Sequence, residues 1–219
     1  MDDEQRRKNR EKMQRWRAAN PGKSAEYVKT RYRNLRLAAL QAYGNECACC
    51  GEKTERFLQI DHIGGGGKQH RDAMGSGNAA FYRWLEANEY PPTLQVLCGN
   101  CNTGSHLNGG TCPHMGPVAE PSSYKSGYRR RVKQEVVDAY GGRCACCSET
   151  ELTFLTVDHV GNNGAAHRRA LSQGRGGHVI HALLKKTGYP DGYQVLCFNC
   201  NDGRYFNGGR CPHEPEEGS

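Results

Sequence analysis

Asp61-His62 closes the run "FLQIDH", and Asp158-His159 closes "FLTVDH" 97 residues later. Each pair sets a carboxylate, a hard oxygen donor, beside the side chain that titrates nearest neutral pH. An amide recurs with them: Asn102 directly follows Cys101, and Asn201 directly follows Cys200. An Asp carboxylate and an Asn carbonyl suit Mg²⁺ or Mn²⁺, and a His between them can deprotonate water. The second chemistry is that of sulfur. Cys47-x-x-Cys50 and Cys98-x-x-Cys101 stand 47 residues apart, and Cys144-x-x-Cys147 and Cys197-x-x-Cys200 repeat the arrangement. Two such knuckles supply four thiolates for one tetrahedral, closed zinc site, hence two structural zinc ions per chain. Disulfides or a plain thiol core are the competing reading. A zinc that fixes Cys101 also fixes the adjacent Asn102, which holds strand end and helix start together. Cys49, Cys112, Cys146 and Cys211 recur as well, with His114 and His213 in "CPH". They fit a substitute ligand, a neighbour of the zinc, or small buried residues.

The chemistry is written twice because the chain is. "AYGNECACCGE" (42–52) returns as "AYGGRCACCSE" (139–149), and "YPPTLQVLCGNCNTGSHLNGGTCPH" (90–114) returns as "YPDGYQVLCFNCNDGRYFNGGRCPH" (189–213). The offset moves from 97 to 99 across an insertion near Ser172–Gly177. Two units follow, 39–114 and 129–213, joined by the Pro-, Ser- and Gly-containing linker 115–128, with an extension 1–38 before them and a tail 214–219 after. Duplication supplies within one chain the pseudo-twofold pairing of a homodimer.

The positioning elements read as small α+β. Phe57, Leu58 and Ile60 predict a strand into Asp61, and "LQVLC" and "YQVLC" a second strand. Phe81, Trp84 and Leu85 fall at i, i+3, i+4 of a helix over 79–88, with Ile180, Leu183 and Leu184 as counterparts; that stripe is core. A short helix follows Asn102 and ends at "NGG". Asp61 and His62 would alternate across a regular strand, so the strand must end or bulge there, and the glycines of "GGGGKQ" form a turn of fixed shape. The second copy keeps Gly161 and Gly164 around Asn162 and Asn163, and Asn tolerates φ > 0. The run lacks the GK[ST] ending of a P-loop.

Composition narrows the class. Apolar residues make up 36% and Gly 28 of 219, which predicts a thin core in need of staples. "MDDEQRRKNREKMQ" has no apolar signal region, and no run is long enough to span a membrane. A reducing cytosol is expected. The first 40 residues hold 12 Lys/Arg against 5 Asp/Glu, while the other 179 hold 18 of each. The excess of +7 therefore sits in the N-terminal extension, which reads as two helices, 4–18 and 24–43, broken at Asn20-Pro21-Gly22. Arg15, Arg17, Lys29, Arg31 and Arg33 are candidates for tracking phosphates; a solvated helix face is the alternative. Trp16 packs on sugar or base, or simply anchors its helix.

Cys knuckles, an Asp-His pair and an Asn directly after the last Cys together resemble the HNH, or His-Me finger, endonucleases, most of all the phage recombination endonuclease VII branch. The likeness covers each repeat and not the extension. It implies two tandem zinc-stapled ββα-metal units, each a β-hairpin and helix gripping one metal. It implies catalytic metal ligands Asp61, Asn102, Asp158 and Asn201, and general bases His62 and His159. The implied activity is metal-dependent hydrolysis of DNA, duplex or branched, at two sites in one chain. His70-Arg71 and His167-Arg168 follow each pair by eight residues, where they would contact the scissile phosphate or leaving oxygen, or else line an exposed loop. Three features depart from the family pattern. Thr93 and Gly192 stand near the usual middle Asn, Asn102 and Asn201 replace the usual third His, and His106 has Tyr205 as counterpart. A zinc-stapled nucleic-acid-binding protein without catalysis, or a nickase with one live unit, are the rival readings.

Overall fold

The computed structural model describes residues 2–74, 78–161 and 177–214. His167, Arg168, Asn162, Asn163 and Gly164 lie outside them. The chain divides into two compact units, Met1–Tyr43 with Gly66–Thr93, and Gly44–Gly65 with Leu94–Ser219. This division does not follow the repeat boundary. Among the described residues, no helix is long and apolar enough to cross a membrane.

The first unit is helical. Helix α1 (Asp3–Ala19) starts where the Asp2 side chain accepts from Gln5 N at 2.7 Å, and it buries no residue. What ties its surface is ion pairing at i, i+4, such as Lys8 to Glu4 at 2.7 Å; each such pair is worth only ~0.3–0.5 kcal/mol. Gly22, at φ +85°, turns the chain into α2 (Lys23–Ala42). Only the C-terminal end of α2 is buried, through Ala39 and Leu40, and α2 packs on α4 (Asn78–Ala87). Tyr82 and Leu85 of α4 are buried. Tyr32 meets Tyr82 edge-on at 5.5 Å, and burial pushes the Tyr82 phenol up to about 12. Helix α3 (Gly67–Met74) lies on α4 as well.

The second unit holds both small sheets. Strands β1 (Leu58–His62) and β2 (Leu94–Cys98) pair antiparallel, as do β3 (Leu155–His159) and β4 (Tyr193–Cys197). Each hairpin feeds a helix: α5 (Gly99–Leu107) after β2, and α8 (Phe198–Phe206) after β4. The helices begin three residues before Asn102 and Asn201, earlier than expected, because Cys98 and Cys197 cap them. Their sulfurs accept from Cys101 N at 3.5 Å and Cys200 N at 3.4 Å. Helix α6 (Tyr124–Ala139) packs on α7 (Gly177–Lys186) through Val132, Val136, Ile180 and Leu184. It starts inside the stretch read as linker, because Ser123 and Ser126 form a reciprocal capping box.

Helix α6 is the counterpart of α2, so the duplication reaches further back than residue 39. Tyr43 OH donates to Pro91 O at 2.9 Å, and Tyr140 OH to Pro190 O at 2.8 Å. In both repeats this tyrosine meets a second, Tyr90 or Tyr189, whose φ is positive (55° and 58°).

A reciprocal seam joins the two hairpin-helix sets within the second unit. Asn100 N donates to Asn199 Oδ1 and Asn199 N to Asn100 Oδ1, each at 2.9 Å, and both side chains are buried. Phe57 enters α8 at Gly203, and Phe154 enters α5 at Gly104. A Cβ on Gly203 would lie 2.5 Å from Cε1 of Phe57, and one on Gly104 closer still to Phe154. These two glycines are needed for space rather than for backbone angle.

Candidate functional site

The Cys-x-x-Cys turns are held from both sides. Cys47 N donates to Glu52 O at 2.8 Å and Ala48 N to Val96 O at 2.9 Å; Cys144 N and Ala145 N repeat this with Glu149 O and Val195 O at 2.8 Å. The knuckle therefore sits against the strand that ends in the second pair of cysteines. Cys47, Cys50, Cys98 and Cys101 converge, as do Cys144, Cys147, Cys197 and Cys200, with all ligand atoms of a group within 4.8 Å of one another. Tetrahedral thiolate zinc, with bonds of ~2.3 Å, sets its sulfurs ~3.8 Å apart. Cys50 and Cys98 stand 3.8 Å apart, and Cys147 and Cys197 3.7 Å. The eight cysteines expected to bind zinc thus form two groups that fit it.

Without a cation the four thiols cannot all ionise together. Sulfur hydrogen bonds from Cys101 and Cys98 hold Cys47 far below the ordinary thiol range, while Cys47 and Cys98 push Cys101 far above it. Cys144 and Cys200 divide in the same way. A zinc ion removes this conflict by holding all four as thiolates.

Asp61 and His62 are the last two residues of β1. They pair with Gln95 and Leu94 in the same unbroken register as Leu58 with Cys98. The strand ends there without a bulge, and the turn comes after it. Gly65 N donates to His62 O at 3.0 Å, and Gly64, Gly65 and Gly66 all have φ between 79° and 90°. Regular pairing puts Asp61 on the strand face of Gln59 and His62 on the other. Asn102 joins the Asp61 face: its Nδ2 donates to Gln59 Oε1 at 2.9 Å. That bond turns the amide oxygen of Asn102 away from Gln59. Asp61 accepts from Gln95 Nε2 at 3.4 Å.

The second copy differs. Asp158 accepts from Gln194 Nε2 at 3.3 Å and also faces Arg204 of α8 at 3.5 Å, both ion-pair side chains being about a fifth exposed. Ser105 stands at the Arg204 position in the first copy; Ser105 donates to Gly110 O at 2.8 Å and Arg204 to the equivalent Gly209 O at 3.2 Å, so the contact with Asp158 is an addition of the second copy. His159 faces the Tyr193 ring at 4.6 Å, where His62 has Leu94 across the strand. Arg204 was legible only by aligning the two copies beyond their cysteines. Gln59 gave no signal, because its counterpart is Thr156. It also reaches across the seam to Asp202 Oδ2 at 3.5 Å, and burial raises the Asp202 carboxyl.

His70 and Arg71 belong to the first unit and sit on α3, a helix rather than the loop considered above. His70 packs edge-on against Trp84 at 4.2 Å and Phe81 at 5.7 Å, and Arg71 is exposed. Arg15, Arg17, Lys29, Arg31 and Arg33 are exposed on α1 and α2. Among the described residues, the groups of three or more His, Cys, Asp or Glu able to hold a metal do not include Asp61, His62, Asp158 or His159. Comparison of the chain with protein-family models, curated proteins and solved structures finds no match.

Proposed function

We propose that the protein is a metal-dependent, HNH-type DNA endonuclease built from two zinc-stapled ββα-metal units. The observation that carries this reading is the placement of Asp61 and Asn102 on one face of β1, with His62 as the strand's last residue. Hard oxygen donors brought to one face fit Mg²⁺ or Mn²⁺, whose charge supplies stabilisation of the phosphorane and leaving oxygen when bound. Asp61 and Asn102 would hold that ion, with the Asn102 amide oriented by Gln59. His62 accepts the proton of the attacking water around the strand end, where Gly64 to Gly66 present no side chain. Asp158, Asn201 and His159 repeat these roles. The exposed arginines and lysines of α1 and α2 track backbone phosphates and carry no sequence information. The cysteine-bound zinc holds the frame and takes no part in the reaction.

The ion pair of Arg204 with Asp158 favours a variant of this reading in which the first copy cuts and the second copy is weakened. Purified protein is incubated with supercoiled plasmid and with a branched junction, in Mg²⁺ or Mn²⁺ against EDTA, as wild type, His62→Ala, His159→Ala and the double variant. Metal-dependent cleavage lost in the double variant is expected. Binding without cleavage of any DNA by the wild type would leave a zinc-stapled binding protein in its place.

A further inference from the structure

Three further potential ligands in each repeat converge beside the first zinc group. Cys49, Cys112 and His114 gather with Cys101, and Cys146, Cys211 and His213 gather with Cys200, again with all ligand atoms within 4.8 Å of one another. Cys101 and Cys200 thus belong to two groups at once. We infer that each repeat holds a binuclear zinc cluster, two tetrahedral ions sharing one bridging thiolate, so that the chain carries four zinc ions rather than two.

The count of donors fits this arrangement. Two tetrahedra that share a vertex need seven ligands, and each repeat supplies six cysteines and one histidine. The spacing fits as well. A zinc with Zn–S of ~2.3 Å and Zn–N of ~2.0–2.1 Å sets sulfur and nitrogen ~3.5 Å apart. His114 Nδ1 lies 3.3 Å from Cys101 Sγ and 3.7 Å from Cys112 Sγ, and His213 Nδ1 lies 3.5 Å from Cys200 Sγ. Cys112 and Cys211 are buried, so the added ion is shielded from solvent on its sulfur side.

The turns after α5 and α8 explain how the third and fourth donors arrive. Met115 N donates to Cys112 O at 2.8 Å and Glu214 N to Cys211 O at 2.9 Å, which curls each Cys-Pro-His back onto its knuckle. The imidazoles are braced from the other repeat: Phe154 lies 4.8 Å from the His114 ring and Phe57 4.8 Å from the His213 ring. The second ion therefore ties the end of each repeat to the seam.

Native mass spectrometry of the full chain, purified with zinc under reducing conditions, reads the stoichiometry directly. Four zinc ions are expected for the wild type, and two for Cys112→Ser combined with Cys211→Ser. Wild type reloaded with ¹¹³Cd is expected to show pairs of cadmium resonances coupled through the bridging sulfur, and this measurement needs no variant to fold. Two zinc ions per wild-type chain, with Cys49 and Cys112 open to alkylation in the zinc-loaded protein, would overturn the cluster. Four ions with uncoupled cadmium resonances would overturn the shared thiolate. Neither readout depends on nuclease activity.

Discussion

The two repeats agree where geometry is demanding and differ where it is not. Around sulfur, the knuckle bonds, the helix-capping cysteines, the Cys-Pro-His turns and the inserted phenylalanines match from one copy to the other. Around the Asp-His pair they part: Asp61 has Gln95, while Asp158 has Gln194 and Arg204. A tetrahedral ion accepts few residue types as ligands and fixes their distances, whereas a strand end accepts many neighbours. Faithful duplication marks the scaffold, and the surroundings of the Asp-His pair are where the two copies diverge.

The largest expected effect tests that inequality. His62→Ala should lower the cleavage rate by ~10²–10⁴-fold, the range for losing a general base, and His159→Ala should cost much less, read as nicked and linear plasmid over time. Equal losses would restore two equivalent sites. Next, Gly104→Ala and Gly203→Ala should each destabilise the chain by about 1–3 kcal/mol through overpacking against a ring, with similar urea midpoints. A clear difference between them would mean that the seam is not reciprocal in energy. Arg204→Ser should lower the Mg²⁺ concentration needed by the second copy about tenfold, since a 3.5 Å contact about a fifth exposed sits at the low end, ~1.5 kcal/mol, of what a hydrogen bond to a charged group is worth. A His62→Ala background isolates that change, and Ser105→Arg should do the reverse in the first copy.

The smallest effect concerns one helix position. His181 of α7 occupies the place that Tyr82 holds in α4. Burial, aided by Lys133 and His178, lowers the imidazole to about 4, below the ~6.5 of an exposed histidine. The unfolded chain therefore takes up this proton first on acidification, and stability falls as pH drops from about 6.5 to about 4. His181→Tyr should flatten the dependence of the urea midpoint on pH across that window. An unchanged slope would remove His181 as its source.

Much of the scaffold was legible because the sequence states it twice. The Cys-x-x-Cys spacing marks the sulfur groups that could hold a metal without a structure, and β2, β4 and α4 follow from short apolar periods that recur, although α4 buries Tyr82 with Leu85 and leaves Phe81 and Trp84 half-buried. The glycine run gave its turn in the first copy, where Gly64, Gly65 and Gly66 all take φ > 0, while Asn162 and Asn163 lie outside the described residues. Contacts between copies were not legible. Phe57 reads as an ordinary apolar residue at the start of a strand, and nothing local says that it fills the space over Gly203. Asn100 looks like its neighbour Asn102, yet the first is buried in the seam and the second is on the helix side of Gln59. The sharing of Cys101 between two groups was also hidden, since spacing along the chain does not reveal how many partners one sulfur meets.

The insertion of Phe57 at Gly203 also sets a delay during synthesis. The glycine lies 146 positions after the ring it accommodates. At ~5–20 residues per second, an emerging chain carries Phe57 for about 7–30 s before its own receptor helix leaves the ribosome. Throughout that interval the surface that fits Phe57 can come only from the Gly203 helix of another copy. Slowed elongation between residues 57 and 203 should therefore raise the fraction of chains that exchange phenylalanines with a neighbour instead of closing on themselves.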